Sequence, residues 1–261
     1  MPKKNDSKWS KYEIYYIYDE PIEYKGLKIY PAIMKDYLQF HYYAECLLLE
    51  KNSSRDPKVI SMTYLEFMVT KSTEENPYHA YFAALIRMLT RKDIEFAYLK
   101  NPKGKIIFTI DGVEFDHRDF DEIKKIISEY NSLELPDDFI QKEIRDNMEL
   151  AKKLRAKMNG GAKMASLEDQ IICVLISTSM SLEQIFSLSI RKFVKILERA
   201  DAKLHYEIYL SASMSGFVEF KDKSVIKHWM ADLTKEKLDL VPVGQIQDAM
   251  SGKGAKVRNR K

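Results

Sequence analysis

The sequence predicts an α+β fold, predominantly α: a small N-terminal β unit plus helices and a β-meander, followed by a C-terminal helical cluster. Three observations carry this reading. Short aromatic and β-branched runs broken by turn dipeptides occupy the start of the chain and residues 94–115. Apolar residues recur at spacings of three and four over most of the remainder. Ser-x-x-acid and Ser-x-x-amide patterns mark helix starts in the second half.

Taken in order, Lys11 to Tyr18 (Lys-Tyr-Glu-Ile-Tyr-Tyr-Ile-Tyr) is rich in residues that suit a pleated surface and is expected to be a strand. Lys25-Gly26 supplies a turn between two short extended pieces, Ile22 to Tyr24 and Leu27 to Tyr30. From Ile33 to Leu49 the spacing becomes helical, with Ile33, Tyr37, Phe40, Ala44, Leu47 and Leu48 on one face. Asp56-Pro57 opens a second helix, Thr63 to Glu66 offers a capping box, and Asn76-Pro77 opens a third helix running to about Leu89. Ile94 to Phe115 reads as a three-stranded meander in which Asp111-Gly112 is a hairpin dipeptide. Phe120, Ile123, Ile126, Ile127 and Tyr130 then trace one helical stripe.

Pro136 is expected to begin a long polar helix to about Met158, ended by Asn159-Gly160-Gly161, the strongest boundary signal in the chain. Ser166 to Asp169 and Ser181 to Gln184 start two short helices. A longer one follows Ser189, with Phe193, Leu197, Leu204 and Ile208 on a stripe expected to be core. Phe217 to Phe220 reads as extended and Val225 to Leu233 as a last helix. The organisation expected is an α+β domain at 1–131, a connecting helix and Gly-Gly hinge at 132–161, a helical domain at 162–240 and a flexible basic tail at 241–261.

Composition narrows the function. Of 261 residues 45% are hydrophobic and 31% charged, which suits a folded protein, and no apolar run reaches the ~18 residues a membrane helix needs. The start, Met-Pro-Lys-Lys-Asn-Asp, leads into no apolar signal core, so a cytoplasmic protein is expected. The formal charge is +3, but residues 251–261 hold five basic side chains and no acid, so the remaining body is slightly acidic; this disfavours a broadly basic nucleic-acid binder. Cys46 and Cys173 lie far apart in apolar surroundings and are expected to be buried, reduced thiols.

A search for chemistry leaves no catalytic, cofactor-binding or metal-binding residue. His41 and Glu45 share a helix face but have no further ligand nearby, and His79, His117 and His228 are isolated in sequence. Ser211 to Gly216 lacks the first glycine of a nucleophile elbow, and Gly252-Lys-Gly254 lacks the length and closing residues of a phosphate loop. What remains are surfaces. Tyr12, Tyr15, Tyr16 and Tyr18 form a tyrosine-rich row of the kind used either by interfaces or by core and edge-strand packing, and Lys253, Lys256, Arg258 and Arg260 form a basic tail that either meets phosphate or an acidic partner or is simply solvated.

The segment Tyr24 to Tyr37 (Tyr-Lys-Gly-Leu-Lys-Ile-Tyr-Pro-Ala-Ile-Met-Lys-Asp-Tyr) resembles the beginning of tailed-phage proteins of the baseplate-hub-assembly and tail-assembly-chaperone type. Ser181 to Phe193, Leu204 to Ile208, Ser213 to Phe217 and Ile226 to Trp229 look like phage tail-module proteins of Gram-positive hosts. The resemblance implies a non-enzymatic tail or baseplate protein, an assembly chaperone or structural adaptor, without catalytic residues or cofactors. It implies other tail or baseplate proteins as partners, the tape-measure protein among them, with self-association as a further option and no membrane. The host cytoplasm during assembly and the virion tail are the expected places. The alternative is a nucleic-acid-associated regulatory or packaging protein that uses the basic C-terminal tail.

Overall fold

The structure is a computed structural model that describes residues 11–51, 56–136, 165–215 and 226–231. The expected polar helix after Pro136, the Asn159 to Gly161 joint, the Phe217 to Phe220 piece and the basic tail lie outside the described residues. The contacts divide the chain into two units, Met1–Leu204 and His205–Lys261.

The first element departs from expectation. Glu13–Tyr18 is a helix, α1, not a strand. A strand would turn Tyr12, Ile14, Tyr16 and Tyr18 to one side, whereas burial here follows a four-residue step: Tyr12 and Tyr16 are buried while Ile14 and Tyr18 are exposed. β-propensity is a weak backbone preference, and the neighbours that Tyr12 and Tyr16 meet decide the conformation.

Next come β1 (Ile22–Tyr24) and β2 (Leu27–Ile29), an antiparallel pair with Ile22 opposite Ile29. Lys25 and Gly26 join them at φ 48° and 80°, the left-handed pair that a two-residue hairpin turn requires. Ile22, Leu27 and Ile29 are buried, and the Tyr30 N–H ties the hairpin to the Leu89 carbonyl at 2.8 Å. The helical run predicted from Ile33 appears as a 3-10 turn, α2 (Tyr37–Ala44) and a second 3-10 turn at Glu45–Leu47. Phe40, Ala44 and Leu47 are buried as the spacing requires.

Helices α3 (Pro57–Ser61), α4 (Tyr64–Lys71) and α5 (Tyr78–Thr90) follow. Asp56 caps α3 through the Lys58 N–H, and Thr63 and Glu66 form the capping box of α4. Asn76 does not cap α5. Its carbonyl accepts from Thr73 and Tyr78, and the free His79 N–H is taken instead by the Ser72 hydroxyl at 2.9 Å.

The meander consists of β3 (Phe96–Lys100), β4 (Ile106–Ile110) and β5 (Val113–Phe115), antiparallel in sequence order. Asp111 and Gly112 turn β4 into β5 at φ 49° and 79°. One face carries a ladder of rings, with Phe108 stacked between Phe96 at 5.5 Å and Phe115 at 5.2 Å. Against that ladder lies α6 (His117–Tyr130), whose stripe Phe120, Ile123, Ile126, Ile127 and Tyr130 is wholly buried.

In the second half, α7 (Leu167–Ser177) and α8 (Leu182–Ser187) both begin with the predicted capping boxes, from Ser166 and Ser181. The long helix α9 (Ile190–Met214) starts against the N-terminal half. Ile33 bridges Ser189, Met34 donates to the Leu188 carbonyl at 2.8 Å and Ile190 to the Ala32 carbonyl at 2.9 Å. Only Ile190 and Phe193 of α9 are buried. Leu197 is half-buried, and Leu204 and Ile208 are exposed, contrary to the core stripe expected. Periodicity shows that residues share a face but not that anything covers it; at 1.5 Å per residue the axis carries Leu204 about 16 Å past Phe193.

Cys46 is buried, and burial pushes its thiol well above the usual range. Cys173 is exposed, not buried, because α7 turns Val174 inward and Cys173 away. In the second unit, residues 226–231 form a turn where a helix was expected. The His228 carbonyl accepts from Ala231 at 2.8 Å and its Nδ1 accepts from Met230 at 3.1 Å, side-chain bonding that competes with helix continuation. Tyr206 packs on His228 at 4.9 Å and His228 on Trp229 at 5.8 Å. Among the described residues no helix is long and apolar enough to cross a membrane.

Candidate functional site

The tyrosine row selected from sequence becomes a clamped helix. Tyr12 and Tyr16, one turn apart, face α6, where the Tyr12 hydroxyl donates to Glu122 at 3.1 Å and the Tyr16 hydroxyl to Glu129 at 2.7 Å. Glu122 and Glu129 are seven residues apart, two helical turns, so α1 is held at two points along α6. The Tyr130 hydroxyl donates to the carbonyls of Tyr15, at 3.2 Å, and Glu20. Burial, reinforced by Asp19 and Glu20, raises the Tyr130 pKa and keeps it a donor. Asp19 ends α1 in the left-handed region at φ 56°.

The start of α9 completes the clamp. The Arg191 guanidinium lies 4.5 Å from the Tyr16 ring centre and donates to the Glu129 carbonyl at 2.7 Å, while Lys192 pairs with Asp19 at 2.9 Å. Beside this junction an open groove of about 360 Å³ is lined by Ser128, Glu129, Glu134, Arg191, Lys195 and Glu198. Its charges are mixed, and Lys195 is paired with Glu198 at 2.9 Å, which suits a structural seam better than a phosphate site.

With its inner face engaged, α1 turns Ile14, Ile17 and Tyr18 outward, exposed by 58%, 54% and 67%. These three lie at i, i+3 and i+4 and form one face. Of the predicted interface residues, Tyr12 and Tyr16 are therefore buried supports, Tyr15 is half-buried and Tyr18 is on the surface. Lys253, Lys256, Arg258 and Arg260 lie outside the described residues. The sequence reading missed Ile14 and Ile17 because the strand assignment split the run by alternation; the Tyr12/Tyr16 spacing of four was the available signal. Tyr16→Phe, which removes one buried donor and leaves Glu129 short of a partner, is expected to cost about 1 kcal/mol in urea denaturation without loss of helix content.

The histidines do not converge. His41 is half-buried against Tyr37 at 4.3 Å, and burial lowers its pKa; His79 packs on Tyr98 at 6.0 Å. Among the described residues no group of three or more His, Cys, Asp or Glu could hold a metal ion.

A second outward surface lies on α7 and α8. They bury Val174 and Ile185, pack Leu167, Ile171 and Leu175 partly against the core, and expose Ile172, Ile176, Leu182 and Phe186. Residues 155–234, which contain all of α7, α8 and α9, match the family model of the YomV second domain. No curated protein and no solved structure matches the chain.

Proposed function

We propose that the chain is a non-enzymatic phage tail or baseplate protein that works as an assembly chaperone or structural adaptor through protein–protein contacts. The observation that carries this reading is α1: a short helix clamped by two tyrosine hydroxyls, an arginine and an ion pair, with its apolar residues Ile14, Ile17 and Tyr18 facing out. A rigid helix presenting large apolar side chains is the arrangement by which helical ligands dock in grooves, and pre-ordering lowers the entropy cost of binding. Support for the phage setting comes from the matched segment, since YomV is a protein of a Bacillus prophage region. The half-buried Glu122 and Glu129 beside α1 serve its attachment. Co-expression with tape-measure and baseplate components of a tail module is expected to yield a stable complex. A chain that purifies alone against every component of the module contradicts the role.

A further inference from the structure

We infer that α7 and α8 form a self-complementary surface on which a second copy of this chain docks about a two-fold axis. From Ile171 to Ile176 every residue of α7 is apolar; Val174 is buried, Ile171 and Leu175 are half-buried against the core, and Ile172, Cys173 and Ile176 are exposed. An apolar stretch long enough to wrap the helix belongs in an enclosed setting, and the fold covers one side of this one. Ile172 and Ile176 lie one turn apart on the opposite side, next to the exposed Cys173. On α8, Leu182 and Phe186 repeat the same spacing, and Phe186 lines an open groove of about 510 Å³ with Ile33, Ser187, Lys35 and Glu183.

Two features select a second copy as the occupant. The groove carries one cation, Lys35, and one anion, Glu183. A two-fold contact sets each residue of a pair against the other's counterpart, so both ion pairs form at once and no charge is left over. The acids of α7, Glu168 and Asp169, sit in its first turn, before the apolar stretch; an antiparallel α7 pair keeps the two acidic ends apart. The area also fits. Ile172, Ile176, Leu182 and Phe186 expose together on the order of 350 Å², so two copies would cover roughly 700 Å² of apolar surface, near the apolar share of the smallest stable interfaces.

The test is the mass of the full chain by sedimentation equilibrium across micromolar concentrations, where a dimer is expected. Ile176→Asp should give a monomer with unchanged circular dichroism, since this side chain is 76% exposed in the single copy. Lys35→Glu should weaken the dimer about tenfold or more, and adding Glu183→Lys should restore it. Alkylation of Cys173 should slow as the dimer forms. A monomer at every concentration, a dimer indifferent to Ile176→Asp, or a double charge variant no better than Lys35→Glu overturns the inference. The outcome is separable from the proposed function, because a monomeric chain that still co-purifies with a tail component through α1 would overturn the dimer and leave the adaptor role standing.

Discussion

Phe120→Ala is expected to destabilise the protein by roughly 3–5 kcal/mol. Phe120 is wholly buried at the point where α4, α5, the meander and α6 meet. Its ring lies 4.8 Å from Phe82, 5.9 Å from Tyr64 in a stacked arrangement and 6.4 Å from Phe108 edge-on. Alanine would remove the apolar area and leave a cavity that three rings from different elements cannot close together. The measurement is the urea midpoint at unchanged slope. Leu197→Ala, at a half-buried position of α9, should cost clearly less. Equal losses at the two positions would mean that the core has been misplaced.

The second large effect belongs to Asp119, whose side chain is 9% exposed and serves three donors. It accepts from the Tyr24 hydroxyl at 2.8 Å, from Lys25 at 2.6 Å and from the Asp116 N–H at 2.9 Å, joining the β1–β2 hairpin to the capped start of α6. Burial opposes its ionisation, but the Lys25 ammonium, the Asp116 N–H and the Tyr24 hydroxyl outweigh it and hold the carboxyl below its usual value. The same contact, with burial leading, pushes the Tyr24 phenol up to about 12. Asp119→Ala is expected to cost roughly 2–3 kcal/mol at neutral pH, from stranded donors and a lost cap. Because the folded pKa lies below the unfolded one, this stabilisation is fully present above the unfolded value of about 3.9 and is lost as pH falls through the folded value. The gap between wild type and Asp119→Ala should therefore narrow in acid; a gap that widens below pH 4 would contradict the assignment.

Much of the fold was readable because its signals are local. Asp56, Thr63, Ser166 and Ser181 cap the helices they precede, with partners two or three residues away, and Asp111-Gly112 turns the hairpin its dipeptide favours. The α6 stripe was equally visible, because a single period brings all five large residues to the buried side of the helix. The candidate site was not readable in the same way. Its supports are Tyr12 to Glu122, Tyr16 to Glu129 and Arg191 to Glu129, pairs separated by 62 to 113 residues that no window of sequence contains. Lys124 shows the same limit: it is buried with its ammonium 3.2 Å from the Tyr64 ring centre, although its charge and its place beside the stripe suggest solvent. Leu204 shows the converse, an apolar residue at the right spacing that is left exposed.

In the proposed role α1 is the contact face, and Tyr12 and Tyr16 only support it. The most direct measurement compares co-purification of a tail-module partner with wild type, Ile17→Asp and Leu99→Asp, the last at a 47% exposed position on β3. All three proteins should melt at the same temperature, because neither substituted side chain is buried. Ile17→Asp is expected to lose the partner while Leu99→Asp keeps it; retention by Ile17→Asp, or loss by both variants alike, would rule out α1 as the contact face.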